Sequence, residues 1–369
     1  MAKLNPSDPP AEAQALYDTA LALYAQSRHA EGLQALSLAA QSGHVSAMSL
    51  LGGQLLSGRG AALDPVTGAR LIMAAAERGG GYACALAAGL FASGLQGAAD
   101  WPRALDYLQR AAELGFTPAQ DQLRTLAGAW APIAADDGRW GKLRRAVNLK
   151  AWRRAPAPRS LSDDASLRAF DAILPPAVCA WIISRGQERL RPAKIYDAHA
   201  NMPKPDASRS NSVAEFTLAD MDVVMFMVRE RLAAAAGLPV THMEPPQVLH
   251  YAVGQRFTPH YDFLDLAFEG HVHDLARQGQ RIATVLVYLN EAFEGGETDF
   301  PLLQLRHRGG PGGALAFANV DAAGQPDRRT LHAGLAPTSG EKWLLSQWIR
   351  DRPTPGVGDP GFIATLKGR

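Results

Sequence analysis

Residues 259–263 read Pro-His-Tyr-Asp-Phe, and residues 331–334, much further along the chain, read Leu-His-Ala-Gly. His260 and Asp262 are two positions apart, and alternate residues of a β-strand project to the same side. We therefore expect one short strand to offer both side chains to one metal ion. His332 lies far along the chain, and the fold of a closed sheet would bring it to the same metal ion as the third ligand. Two histidines and a carboxylate can occupy one face of an octahedral ferrous ion and leave three positions open.

An H-x-D triplet alone is weak evidence for a metal site, because the chain has ten histidines. Such a triplet is more often a pair of side chains at the surface, or a buried pair with its hydrogen bonds satisfied. Further motifs surround this one. Residues 247–255 read Gln-Val-Leu-His-Tyr-Ala-Val-Gly-Gln, residues 281–290 read Arg-Ile-Ala-Thr-Val-Leu-Val-Tyr-Leu-Asn, residues 294–301 read Glu-Gly-Gly-Glu-Thr-Asp-Phe-Pro, and residues 340–343 read Gly-Glu-Lys-Trp. From about Leu161 to Arg352 the chain resembles the prolyl 4-hydroxylase type of iron- and 2-oxoglutarate-dependent dioxygenase.

The resemblance implies a set of site residues. His260, Asp262 and His332 would bind Fe(II), and Lys342 would hold the far carboxylate of 2-oxoglutarate as a point charge. A lysine ten residues after the distal histidine is typical of the prolyl hydroxylase type, whereas relatives use arginine there. The presence of Asp262 argues against a halogenase, in which that ligand is missing.

Three further roles follow from the same resemblance, and strand parity adds a fourth. Tyr251 would donate its hydroxyl to 2-oxoglutarate, Thr298 would line the same pocket, and Arg281 would contact a peptide substrate. For Arg281 the alternative is a surface arginine that flanks a strand. Trp348 lies on the same strand face as Lys342. Its side chain would therefore either line the pocket that holds Lys342 or pack in the core.

The implied reaction is hydroxylation of an unactivated C–H bond, with Fe(II) and O2, 2-oxoglutarate as co-substrate, and release of succinate and CO2. Ascorbate binding is a further expectation from the resemblance. A peptidyl proline is the implied substrate, and a free amino acid or small metabolite is the alternative. A third hypothesis is a non-catalytic adaptor that binds partners through its repeats. The complete set of metal ligands argues against it.

Composition limits the choice of partners and compartment. The chain has 369 residues, a formal net charge of +1, 47% hydrophobic residues and 20% charged residues, which is typical of a globular protein and gives no general argument for binding nucleic acid or membranes. Cys84 and Cys179 lie far apart and form no CxxC motif. We expect a cytoplasmic protein, because no apolar signal core and no apolar run of membrane-spanning length occurs.

The first third of the chain repeats itself with a period of 36 residues. Small or apolar residues recur in five columns in register: Ala39, Ala75 and Ala111; Ala40, Ala76 and Ala112; Gly43, Gly79 and Gly115; Ala47, Ala83 and Ala119; Leu36, Ile72 and Leu108. This period predicts stacked helical hairpins, and the pattern resembles Sel-type, tetratricopeptide-like repeats over residues 11–126. Such arrays bind peptides or proteins on a concave face or act as spacers, so they could recruit a protein substrate.

A basic connector follows the repeats. Residues 139–159 contain eight Lys or Arg residues and no acidic residue, and they include Trp140 and Trp152. We interpret this segment as a connecting helix rather than a docking site, and the run Ala-Pro-Ala-Pro at 155–158 as the domain boundary. The predicted divisions are repeats at 11–126, a linker at 127–160, a dioxygenase domain at 161–352 and a tail at 353–369. We expect a fragment that begins near Ser160 to bind iron by itself.

The oxygenase part is predicted to begin with helices, at 164–191 and 218–237, and to continue with strands, at 248–253, 282–289, 314–320 and 343–349. Short strands after helices favour a double-stranded β-helix, or jelly roll. The fold class is therefore α+β and multidomain, with a helical repeat array before the jelly roll.

Overall fold

The computed structural model describes residues 10–94, 98–129, 140–163, 165–197, 202–204, 206 and 208–353. Part of the predicted linker and nearly all of the predicted tail lie outside these ranges. Within them, no helix combines the length and the apolar character that crossing a membrane requires.

Seven helices form the repeat array: α1 (Ala11–Ala25), α2 (His29–Gln41), α3 (Val45–Ser57), α4 (Pro65–Glu77), α5 (Gly81–Ser93), α6 (Trp101–Glu113) and α7 (Thr117–Gly128). The three repeated glycines follow α2, α4 and α6 with nearly identical positive φ angles, 83° at Gly43, 85° at Gly79 and 82° at Gly115. Glycine adopts this left-handed conformation without steric cost, so each helix can end in the same tight turn. The prediction of stacked helical hairpins is confirmed.

The small residues of the repeat allow close helix packing. Ala39, Ala75 and Ala111 are fully buried. A Cβ atom added at Gly52 of α3 would lie 2.9 Å from the carbonyl oxygen of Gly68 in α4, closer than real Cβ contacts. Backbones that approach this closely leave no room for a larger side chain at either glycine.

Two short helices, α8 (Trp140–Ala146) and α9 (Leu149–Trp152), occupy the basic segment. Trp152 is fully buried, and the Trp140 ring lies under the Arg124 guanidinium at 4.8 Å. Arg144 pairs with Asp106 of α6 at 2.8 Å. These contacts are those of connecting helices, as the sequence indicated.

The remainder contains sixteen strands and three helices among the described residues. The helices are α10 (Pro176–Gln187), α11 (Val223–Ala236) and α12 (Glu269–Gln278). The strands are β1 (Arg159–Ser162), β2 (Leu167–Phe170), β3 (Arg191–Pro192), β4 (Ile195–Asp197), β5 (Met202–Lys204), β6 (Ser212–Glu215), β7 (Gln247–Tyr251), β8 (Phe257–His260), β9 (Arg281–Tyr288), β10 (Phe293–Gly295), β11 (Thr298–Phe300), β12 (Leu305–His307), β13 (Ala314–Ala318), β14 (His332–Gly334), β15 (Pro337–Gly340) and β16 (Lys342–Arg350).

Two antiparallel sheets make the jelly roll. The major sheet has the order β1-β2-β13-β9-β16-β7-β6-β3, and the minor sheet has the order β12-β11-β14-β8. Apolar side chains from both sheets meet between them; Phe300 of β11, for example, packs edge-on against Phe317 of β13 with ring centroids 5.2 Å apart. The predicted fold class, helical repeats followed by a jelly roll, is confirmed.

One predicted helix is shorter than expected. Residues 164–191 were predicted to be mainly helical, but helix α10 spans only Pro176–Gln187. Leu167–Phe170 instead forms β2, because its residues pair with β13 and extend the major sheet. Three of the four residues of this strand are buried, and periodicity cannot separate so short an apolar run from part of a helix.

The repeat array packs directly against the oxygenase part. Alternate helices of the array, α3, α5 and α7, contact α10, α11 and the 3-10 turn Leu218–Asp220. Buried apolar residues of both parts form one continuous cluster, which includes Trp101 of α6 and Phe226 of α11. The Pro-containing connector therefore does not separate two parts that are independent in space.

Candidate metal centre

Two strands of the minor sheet bring the three predicted ligands together. His260 is the last residue of β8, His332 is the first residue of β14, and the two are register partners across the antiparallel ladder. The expectation that one strand carries both His260 and Asp262 is wrong, because β8 ends at His260. Asp262 lies in the following bend, from which its carboxylate reaches strand β9 of the major sheet.

The ligand atoms of His260, Asp262 and His332 all lie within 4.8 Å of one another. His260 Nε2 is 3.8 Å from Asp262 Oδ1, and His332 Nε2 is 3.6 Å from Asp262 Oδ2. Two imidazole nitrogens and a carboxylate oxygen at these separations form a facial set suited to a ferrous ion. Among the described residues, this is the one group of three or more His, Cys, Asp or Glu side chains with such spacing.

Both imidazoles are held in the tautomer that a metal requires. His260 Nδ1 donates to the carbonyl oxygen of Thr258 at 2.9 Å, and His332 Nδ1 donates to that of Thr330 at 3.0 Å. A carbonyl oxygen only accepts, so the proton resides on Nδ1 and each Nε2 keeps a free lone pair. Both lone pairs belong to the nitrogens that approach Asp262.

The surroundings keep the centre in the protonation state that binds metal. Burial, together with the nearby His332, lowers the pKa of His260 to about 3, so this imidazole is neutral. Burial acts to raise the pKa of Asp262, but His332, His260 and a hydrogen bond from Thr284 outweigh it, and the net pKa is lowered. His260 thus offers a neutral nitrogen and Asp262 an anionic oxygen, as metal binding requires.

Two buried polar residues, Thr284 of β9 and Asn319 just after β13, form a hydrogen-bonded chain that ends on Asp262. Thr284 Oγ1 of β9 donates to Asp262 Oδ2 at 2.7 Å, and Asn319 Nδ2 donates to Thr284 Oγ1 at 2.9 Å. All three side chains are at most 5% exposed. Outer hydrogen bonds of this kind orient metal ligands and are part of the site. Neither Thr284 nor Asn319 is predicted from the sequence.

Lys342, the first residue of β16, places a buried cation against its register partner Tyr251, which lines the cavity over the metal ligands. Its Nζ has no hydrogen-bond partner among the described residues and lies 4.9 Å from the ring centroid of Tyr251 and 5.7 Å from that of Tyr288. Burial lowers its pKa to about 7. A buried ammonium without an anionic partner is costly, and such an arrangement suits an anionic ligand that completes the pair. The residues present therefore fit both iron and an acidic co-substrate.

The other predicted co-substrate residues line the cavity over the metal centre. Tyr251 and Thr298 are each 2% exposed and both face this cavity. Burial raises the pKa of Tyr251 to about 12, so its hydroxyl remains a hydrogen-bond donor. Thr298 Oγ1 lies 2.8 Å from the hydroxyl of Tyr288, which in turn donates to the carbonyl oxygen of His307.

Trp348 also lines the cavity, whereas Arg281 lies outside it. The Arg281 guanidinium stacks on the Trp348 ring at 3.8 Å. Glu244 fixes that guanidinium through two hydrogen bonds, Nε to Oε1 at 2.6 Å and Nη2 to Oε2 at 2.9 Å. Glu244 Oε1 also accepts from Nε of buried Arg350 at 2.5 Å. Arg281 therefore supports the cavity wall, and its role as a substrate contact stays a prediction.

Arg209 is a cavity residue to which the sequence analysis assigned no role. The segment that carries it pairs with the open edge of β8, through the bridge between Arg209 and Phe257 and the hydrogen bond from Thr258 N to Ser208 O. Its guanidinium lies 4.7 Å from the Phe257 ring centroid, and its hydrogen-bond acceptors among the described residues are neutral oxygens at 3.3–3.4 Å. The cavity thus has a cation on its wall, close to the metal ligands.

Comparison with known proteins agrees with this geometry. The profile of the 2OG-Fe(II) oxygenase superfamily matches residues 246–350. Prolyl 4-hydroxylase 1 of Arabidopsis thaliana is 28% identical over 251 residues, which are 63% of this chain and 84% of that protein.

The C-terminal part of the chain is a 2OG-Fe(II) oxygenase domain. The protein is therefore a 2-oxoglutarate-dependent dioxygenase, and this class uses Fe(II), 2-oxoglutarate and O2.

Solved structures resemble each part of the chain. The viral collagen prolyl hydroxylase from Paramecium bursaria Chlorella virus 1, in complex with 2-oxoglutarate, is 27% identical, covers 52% of this chain and 98% of that one, and has a TM-score of 0.39. A Sel1 repeat protein from Oxalobacter formigenes is 24% identical, covers 38% of this chain and 60% of that one, and has a TM-score of 0.30.

Proposed function

We propose that the oxygenase domain hydroxylates a peptidyl proline, with Fe(II) bound by His260, Asp262 and His332. The observation that carries this proposal is the unpartnered Nζ of Lys342, buried against the ring of Tyr251, which lines the same cavity as the His-Asp-His set. A metal site alone would suit several chemistries. A metal site with a buried cation at one side suits a metal-chelating dicarboxylate.

The assigned roles divide the cavity into a co-substrate side and a substrate side. On the first side, Lys342 binds the far carboxylate of 2-oxoglutarate, the Tyr251 hydroxyl donates a hydrogen bond to the same molecule, and Thr298 fills the wall beside it. When bound, iron would activate O2 and act as a Lewis acid toward 2-oxoglutarate. The sum of the reaction converts 2-oxoglutarate, O2 and a C–H bond into succinate, CO2 and a C–OH group.

The substrate side is formed by Arg209, Phe257 and Trp348. Arg209 offers N–H groups to a carbonyl oxygen of a polypeptide, and the two aromatic side chains offer apolar surface to a proline ring. The rigid stack of Arg281 on Trp348, held by Glu244, keeps one wall at a fixed distance from the metal ligands. Because the Arabidopsis relative is named a prolyl 4-hydroxylase, we favour a proline residue as the modified group.

Arg209 also gives a reason to keep a second candidate. A guanidinium binds an α-carboxylate bidentately, so a free amino acid could be held by the same side chain. The two substrates differ in what Arg209→Gln would do. Glutamine still donates to a peptide carbonyl, so peptide turnover would fall modestly, whereas a carboxylate that lost its cation would bind at least about tenfold more weakly.

Two finer expectations stay predictions. Ascorbate would restore activity during prolonged turnover, which assays with and without ascorbate would measure. A cytoplasmic location would be measured by cell fractionation of the tagged full chain.

The decisive experiment combines substrate capture with a matched histidine control. Purified full-length protein with Fe(II) and 2-oxoglutarate is incubated with a cell lysate and with proline-containing peptides, and peptides that gain one oxygen atom are sought by mass spectrometry. We expect hydroxyproline together with stoichiometric succinate. His332→Ala should abolish both products, whereas His273→Ala, at an exposed position on α12, should change neither. Oxygen gain at a residue other than proline would refute the assigned substrate.

A further inference from the structure

Helix α11 of the oxygenase domain is buried on nearly every side. Ten of its fourteen residues are buried: Val223, Val224, Met225, Phe226, Met227, Val228, Arg229, Arg231, Leu232 and Ala233. A helix that covers a single core buries one stripe only, so a helix buried all round needs a second partner. Strand β9 of the major sheet contacts α11, and helices α5 and α7 of the repeat array also contact it.

Polar contacts fix the register of α11 on the array. Gln122 Oε1 of α7 accepts from the backbone N–H of Val223, the first residue of α11, at 3.1 Å in a buried position. Trp101 Nε1 of α6 donates to Glu230 Oε1 at 3.3 Å. These contacts satisfy one N–H of the helix N-terminus and the indole of a fully buried tryptophan. Nonspecific apolar contact would not need such matched polar groups.

A second contact joins the array to the turn that precedes α11. Arg59, after α3, binds the Asp220 carboxylate with both Nη atoms, at 2.6 and 2.9 Å. Arg189 of the oxygenase domain binds the same carboxylate at 2.7 Å. Bidentate arginine pairs are geometrically specific, and Asp220 is only 6% exposed. One buried carboxylate thus connects a cation from each part of the chain.

The connector is also bound to α11. Arg231 donates to the carbonyl oxygens of Ala151 at 2.7 Å and of Ile173 at 2.9 Å, and to that of Arg154. The basic segment is therefore held on the same helix that the array contacts. A free spacer between independent modules would lack these contacts.

We propose that helix α11 is the ligand of the repeat array, so that the face formed by α3, α5 and α7 acts within the chain and does not recruit substrates. The array and the oxygenase domain then form one folding and catalytic unit. This inference does not depend on the proposed substrate. It replaces the sequence-based expectation that a fragment beginning near Ser160 binds iron by itself.

Two glycines offer a matched pair of variants. Gly53 and Gly89 occupy equivalent positions in successive repeats, 36 residues apart, and both are partly buried. A Cβ atom at Gly89 would lie 4.0 Å from Phe226 Cε2 of α11, whereas one at Gly53 would meet only Leu86 and Tyr82 of the array itself, at 4.0 Å each. Gly89→Glu therefore directs a carboxylate at α11, and Gly53→Glu leaves α11 untouched.

The test cuts the connector after the full chain has folded. A protease site is inserted between Ala157 and Pro158, which are exposed, and the cut protein is examined by size-exclusion chromatography and for succinate release. We expect the two pieces of the parent and of Gly53→Glu to stay together with unchanged activity. The pieces of Gly89→Glu should associate about a hundredfold more weakly or worse, since burying an unpaired charge is strongly unfavourable.

Separation of the parent pieces with activity retained would overturn the proposal, as would equally tight association in Gly89→Glu. Hydrogen exchange of the uncut chains gives a second measurement if a cut protein precipitates. Amide protection should fall in α11 of Gly89→Glu and remain unchanged in β9 and β16. Equal protection of α11 in both variants would also refute the assignment. These outcomes do not depend on whether proline is the substrate, because activity is measured as succinate release without a peptide.

Discussion

Thr284 Oγ1 donates a 2.7 Å hydrogen bond to Asp262 Oδ2, and both side chains are buried. This contact joins the proposed metal ligand in the bend after β8 to the centre of the major sheet. It leaves Oδ1 on the side of His260, since His260 Nε2 is 3.8 Å from that atom. The hydrogen bond thus determines how the carboxylate presents its two oxygens.

Thr284→Val should weaken iron binding by about 10–100-fold, the usual effect of removing an outer partner of a metal ligand. Valine has almost the same shape, so the packing of β9 is retained. Isothermal titration with Fe(II) under anaerobic conditions measures the change. Thr284→Ser keeps the hydroxyl and should bind iron like the parent; equal affinity of the valine variant would mean that Thr284 does not orient Asp262.

Lys342→Met should raise the Michaelis constant for 2-oxoglutarate by at least about a hundredfold, because a buried carboxylate without its cation costs roughly 3–5 kcal/mol. Iron content should stay at the parental value, since Lys342 is not in the proposed ligand set. Exposed Lys150 on α9 provides the control variant Lys150→Met, which should leave the constant unchanged. If the Michaelis constant of Lys342→Met is unchanged, Arg209 and not Lys342 binds the far carboxylate of 2-oxoglutarate.

The same lysine predicts a pH dependence. Its pKa is lowered to about 7, with burial as the main cause and Glu297 opposing it, and its other facing groups are the Tyr251 and Tyr288 rings. A bound carboxylate favours the protonated lysine, so 2-oxoglutarate binds the form that is lost as the pH rises through 7. The apparent Michaelis constant should therefore rise by up to about tenfold per pH unit above 7. Lys342→Met should abolish this slope.

Glu244→Ala should destabilise the domain by about 3–5 kcal/mol, because it leaves the guanidinium groups of Arg281 and buried Arg350 without their shared carboxylate. Chemical denaturation measures the loss. Glu215→Ala, at an exposed position on β6, is the control and should have little effect. If Arg281 positions the Trp348 wall, the Michaelis constant for the substrate should rise in Glu244→Ala more than that for 2-oxoglutarate.

Sequence spacing predicted the parts of the site that depend on local patterns. Short motifs singled out His260, Asp262, His332 and Lys342, but the spacing argument put Asp262 on the strand of His260, whereas it lies in the bend after β8. Thr284 could not be recognised in this way, because threonine is common in buried strands for its β-branched shape alone. Arg209 and Glu244 reach the site through pairings between segments distant in sequence, and no local periodicity records such pairings. For the same reason, the apolar pattern of α11 indicated burial but not its partner.

The position of α11 in the chain has a consequence for synthesis of the protein. Trp101 and its partner Glu230 are separated by 129 residues. A ribosome that adds about 5–20 residues per second therefore completes the array roughly ten seconds before it completes α11. During this interval, the nascent array has an uncovered apolar face, which is a site for chaperones or for misassembly with other chains. The helix that ends this exposure emerges before β7, the proposed metal ligands and the rest of the jelly roll, so the array is covered before the catalytic cavity can close.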